Sequence, residues 1–77
     1  MNDAFLALPS HLRERLAQAL QSGLLRAPYT LISLRSVLGN IEAGKHVVNA
    51  LIDMENLGIS GEGAAAYIRM IGEATAR

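Results

Sequence analysis

Four groups of residues have types and spacings that could carry chemistry. Gly61-Glu62-Gly63-Ala64-Ala65-Ala66 matches the G-x-G-x-x-A pattern that brings a pyrophosphate onto a helix N-terminus. That chemistry needs a preceding strand, and an acid about 20 residues on to hold a ribose. Neither is present, so the stretch reads as a helix start with small packing residues. Gly58-Ile59-Ser60-Gly61 places a serine between glycines. The second glycine falls one position early for a nucleophile elbow, and no strand leads into it. Ser60 reads instead as a helix cap. His11 and His46 lie far apart in sequence, with no acid at ligand spacing. They read as surface or boundary residues, and no catalytic pair or metal set can be named. Met54 and Met70 read as core gap-fillers. On this evidence the chain is not an enzyme and needs no cofactor.

The charge distribution is more informative. Seven Lys and Arg balance seven Asp and Glu over the 77 residues. Up to Asn40, Arg13, Arg15, Arg26 and Arg35 stand against Asp3 and Glu14, a local net charge of +2. From Ile41 onward, Glu42, Asp53, Glu55, Glu62 and Glu73 stand against Lys45, Arg69 and Arg77, a local net charge of −2. A neutral chain can in this way carry a basic surface (Arg13, Arg15, Arg26, Arg35) and an acidic one (Glu42, Asp53, Glu55, Glu62). Such a pair suits contacts in which one face meets a different face on the next copy. Charges of both signs are also ordinary on solvated helices.

The elements that must position these residues are helical throughout. Leu12, Leu16, Ala19, Leu20 and Leu24 follow one buried stripe, predicting a helix from about Pro9 to Ser22. Ser10 reads as its cap, Glu14 as an early-turn acid, and Gly23 as its stop. A short turn carries Phe5, Leu6 and Leu8, capped by Asp3 and broken at Pro9. Ala27-Pro28 reads as a connector. Leu31, Leu34, Val37 and Leu38 form the next helical face, closed by Gly39-Asn40. A longer helix runs from about Ile41 to Leu57, burying Val47, Val48, Leu51, Met54 and Leu57, with Gly44 weakening its first turns. Gly58 fits its left-handed closure, and Ala64, Tyr67, Ile68 and Ile71 face the core from a last helix. Period-two alternation is absent. The expected fold is all-α, a compact antiparallel bundle of four to six short helices in one domain. Leu16, Leu20, Leu34, Leu38, Val47, Leu51 and Ile68 are its predicted shared core.

Composition narrows the classes further. Apolar residues make up 51%, cysteine is absent, and the aromatic residues are Phe5, Tyr29 and Tyr67. This argues against a disordered tail, a disulfide-stapled miniprotein and a thiolate zinc site. No run reaches the ~18–20 apolar residues that span a bilayer. Met1-Asn2-Asp3 lacks the basic start of a secretion signal, so a cytoplasmic location is expected. The absence of a basic excess makes nucleic acid a poor partner.

Leu8-Pro9-x-x-Leu12-x-x-x-Leu16 opens the chain, and Leu34-Arg35-Ser36-Val37-Leu38-Gly39 forms the short middle helix. Val47-x-x-Ala50-Leu51 and Leu57-Gly58-Ile59 follow, before the Ala-rich last helix. In this order of segments the chain resembles the effector-associated, CARD-like death-fold adaptor domains of bacterial anti-phage conflict systems. The break near Pro9 is similar to their kinked first helix. The resemblance implies a death-like fold of six helices, of which the spacing predicts four and a short N-terminal turn. It implies a non-enzymatic adaptor that pairs with a like domain on another protein and couples a sensor to an effector, such as a protease. The chain would then be one module of a longer protein. Two other readings compete. One is a helix-turn-helix DNA-binding regulator, and the other a small subunit with an apolar groove for a partner helix.

Overall fold

A computed structural model describes residues 2–75, with side chains from 4 to 74. Five helices follow in order: α1 (Asn2–Leu6), α2 (Ser10–Ser22), α3 (Leu31–Leu38), α4 (Ile41–Asn56) and α5 (Gly61–Thr75). No strand occurs among the described residues. The all-α expectation holds, and the short N-terminal turn is a helix. No sixth helix occurs among the described residues; the chain between Ser22 and Leu31 is irregular, with a cis Ala27–Pro28 peptide bond. Asp3 lies inside α1 rather than ahead of it. Arg77 lies outside the described residues.

Helix ends follow local chemistry. Thr30 caps α3 through a reciprocal box with Ser33, and Asn40 accepts from the Glu42 and Ala43 N–H groups at the start of α4. Gly58 is left-handed at φ 83°. The Ile59 N–H reaches back to the Met54 carbonyl at 2.9 Å, and the Gly58 N–H to Glu55 at 2.9 Å. That pair of bonds closes α4 as a Schellman motif, and partly buried Ile59 packs over the end. Two further capping expectations fail. Pro9 occupies the N-cap of α2 without a side-chain cap bond, and Ser10 is already helical. A proline is suited to that place because the first N–H groups of a helix lack partners anyway. Ser60 precedes α5, but its carbonyl, not its hydroxyl, accepts from Gly63 and Ala64.

The chief packing pairs are α2 with α5 and α3 with α4, while α1 lies against α4 and α5. Helices α2 and α5 run antiparallel. The Leu20–Gln21 end of α2 shares a cleft with Gly61–Glu62, and Ser10–Arg13 shares a groove with Gly72–Glu73. All seven predicted core residues are at most 2% exposed. Phe5, which the periodicity left on a short turn, is fully buried. Leu24 departs from its predicted stripe and is 78% exposed. Left-handed Gly23, at φ 80°, turns the chain before Leu24, so Leu25 goes inward in its place. Met70, expected as a gap-filler, is 58% exposed, whereas Met54 is buried, and Leu57, expected on the buried face of α4, is 68% exposed because it is the C-cap at which the helix ends.

Gly44 weakens α4 as an isolated helix but serves its packing. A Cβ there would stand 3.1 Å from Leu34 Cβ and 3.7 Å from the Arg35 amide nitrogen. Both neighbours are backbone or next to it and cannot swing aside. Gly44→Val is therefore expected to destabilise by about 1–3 kcal/mol through overpacking. Urea denaturation measures this, and an unchanged midpoint would show that α3 can slide away from α4.

Candidate functional site

The four candidate arginines are placed differently. Arg13 is half-buried and works inside the molecule. Its Nη1 donates to the Leu8 carbonyl at 2.8 Å and to Phe5 at 3.4 Å. These carbonyls lie at the C-terminal end of α1, where helix oxygens lack partners and a cation is favoured. The same guanidinium lies against Gly72, where a Cβ would come within 2.8 Å of Nε. Arg13 thus joins α1, α2 and α5. Arg15 and Arg35 are exposed and gather at one end of α3. Arg35 stands in the last turn of α3, and Arg15 Nη1 lies 3.9 Å from where Gly39 would carry a Cβ. The C-terminal carbonyls of α3 favour both cations there. Arg26 lies apart, its Nε donating to the Gly23 carbonyl at 2.9 Å.

The four candidate acids do not share one surface. Glu42, in the first turn of α4, stands beside Lys45 at 3.4 Å, with both side chains exposed. Asp53 lies eleven positions further along α4, about 16 Å on a helix rising 1.5 Å per residue. Asp53 and Glu55 occupy the C-terminal end of α4, whose last turn holds no basic residue. The helix dipole disfavours carboxylates there. Glu62 stands in the first turn of α5, where the dipole favours it. Glu55 and Glu62 line one cleft of about 380 Å³ together with Arg26 and Tyr29. Tyr29 is only 6% exposed. Burial raises its phenol above the usual tyrosine value, and the nearby Glu55 charge adds to this.

Sequence reasoning missed the best-formed ion pair. Arg69 Nη2 donates to Glu14 Oε2 at 2.7 Å, and its Nε donates to both carboxylate oxygens at 3.1 and 3.2 Å. Gln21 accepts a further bond from Nη1. Glu14 is thus the α2 anchor of α5 rather than an early-turn acid. The Arg69 hydrogen bonds hold the Glu14 carboxyl below its usual value of 4.5. The pair therefore adds stability above that value, and the contribution disappears as the pH falls through the depressed one. Glu14→Gln is expected to reduce the loss of stability on acidification, by a small amount because the pair is solvent-exposed. Melting temperature against pH checks this, and parallel curves for the two proteins would contradict it.

Several large apolar side chains face water. Leu24, Ile32, Leu57 and Met70 are 78%, 73%, 68% and 58% exposed, and Leu31 and Ile41 are 37% and 40% exposed. Helix α3 is the notable case. It buries only Leu34 and Leu38, with Val37 half-buried, and turns Leu31, Ile32 and Arg35 outward. Among the described residues, no three His, Asp or Glu side chains are placed to hold a metal ion. His11 and His46 are exposed, as expected. No described helix is long and apolar enough to cross a membrane. Comparison with protein-family models, with curated proteins and with solved structures gives no match for this chain.

Proposed function

We propose that this domain is a non-enzymatic adaptor that makes homotypic contacts through the outward face of α3. The observation that carries the reading is the composition of that face. Ile32 is 73% exposed and Leu31 37%, and Arg35 follows Ile32 by three residues. Residues three apart on a helix are neighbours, so Ile32 and Arg35 form one patch. Arg15 extends it at the α3 end. An apolar anchor flanked by arginine is the composition typical of the energetic centre of a protein interface. The acids at the far end of α4 supply a complementary surface on the next copy. The resemblance to CARD-like adaptors of bacterial defence points to the same use, coupling a cytoplasmic sensor to an effector such as a protease.

A charge-swap series tests the electrostatic half of this reading. Exposed charge pairs contribute ~0.2–1 kcal/mol each, so single reversals act modestly. Arg35→Glu is expected to weaken capture by the immobilised wild-type domain about two- to fivefold, at unchanged helical signal. Reversing Glu42, Asp53, Glu55 or Glu62 on the other copy is expected to restore part of the loss for the acid that meets Arg35. Association should weaken as salt rises, because exposed charges are screened over ~8–10 Å. If no reversal and no salt change alters capture, the charged surfaces do not guide association. Retention on heparin lost in Arg35→Glu would favour the DNA-binding reading.

A further inference from the structure

We infer that the cleft between the α2–α3 connector and the α4–α5 junction binds an organic cation, a guanidinium or ammonium group on a short aliphatic stem. The cleft holds about 380 Å³, within the ~300–1,000 Å³ range of small-ligand sites. Leu20 and Leu25 supply buried apolar wall, and Tyr29, Glu55 and Glu62 supply the polar groups.

Three observations favour a cation. Neither Glu55 nor Glu62 lies within ion-pair distance of a described cationic side chain, so the two carboxylates stand unneutralised. Arg26, the one cationic residue on the wall among the described residues, is turned to the Gly23 carbonyl. Glu55 stands at the C-terminal end of α4, where the helix dipole favours a cation and the last turn holds no basic residue. Independently of the acids, Tyr29 is 94% buried, yet its hydroxyl makes no hydrogen bond to a described residue. No described buried polar side-chain atom is sealed without a partner, so the phenol oxygen opens to the cleft that Tyr29 lines. It can accept from a ligand N–H. An anion would meet two carboxylates and one guanidinium, a net repulsion.

The ligand can be a free amine or an arginine side chain on a peptide. The cleft shares Glu55 and Glu62 with the acidic surface of the adaptor reading, but its test reads binding of small probes rather than association between copies, so either proposal can fail without the other. The test is titration of the full chain by two-dimensional NMR with agmatine, with a capped Gly-Gly-Arg-Gly-Gly peptide, and with glutarate as an anion of similar length. Agmatine or the peptide is expected to shift Tyr29, Glu55, Gly61 and Glu62 resonances in a saturable way, and glutarate is not. The tighter of the two cationic probes identifies the source. Glu55→Gln and Tyr29→Phe are expected to weaken that binding at least fivefold and about twofold, with the remaining spectrum unchanged. Glu62→Gln serves as a second carboxylate variant if Glu55→Gln perturbs the fold. Shifts scattered over the whole surface, equal shifts with glutarate, or affinities unchanged in all three variants would overturn the assignment.

Discussion

Leu51→Ala is expected to cost about 2–5 kcal/mol and to leave much of the protein unfolded. Leu51 is 1% exposed on α4, the helix that packs against both α3 and α1. Removing its side chain leaves a cavity among close-packed neighbours that relax only in part. A domain below ~70–80 residues rarely nets more than ~3–5 kcal/mol from its core, so one such cavity can consume the whole margin. Leu57→Ala is the matched control, the same change just past the end of the same helix. Leu57 is 68% exposed, and its loss should stay within about 0.5 kcal/mol. Denaturant unfolding of the two variants should separate them clearly. A Leu51→Ala cost below about 0.5 kcal/mol would mean that the site is not core.

Ile32→Asp is expected to carry the largest functional effect, a loss of association of about thirtyfold or more. Truncating or charging a buried interface anchor costs ~2 kcal/mol or more, against ~0.2–1 kcal/mol for a rim charge pair. The fold should not suffer. Ile32 is 73% exposed, lies in the first turn of α3, and an acid there is favoured by the helix dipole. A variant with an unchanged melting curve and lost association would place the effect at the interface rather than in stability.

The parts of the fold that were legible in the sequence are those set by local rules. Gly23, Gly39 and Gly58 each stop a helix where a left-handed residue is needed, at φ 80°, 69° and 83°. Leu16, Leu20, Leu34, Leu38, Val47, Leu51 and Ile68 follow helical spacing into one core. The misses have the opposite character. Leu24 continued the periodic stripe of α2 by one step too many, because spacing alone does not register that Gly23 has already turned the chain. Glu14 and Arg69 are 55 positions apart, and no local pattern pairs them. Arg13 had a readable signal, since an arginine close after a short helix can serve that helix's free carbonyls. The cleft is assembled from α2, the α2–α3 connector, the end of α4 and the start of α5, so its residues were visible singly but not as a group. The acids were grouped by sign in the sequence, whereas the length of α4 separates Glu42 from Asp53 and Glu55.

The central claim is that like meets like through the α3 face. Static light scattering of the wild-type domain and Ile32→Asp, over a concentration series at low and high salt, tests it most directly. The account predicts a wild-type mass that rises above the monomer with concentration and falls back as salt is added, beside a variant that stays monomeric with native helicity. A wild type that remains monomeric at every concentration, or a variant that associates as the wild type does, would contradict it.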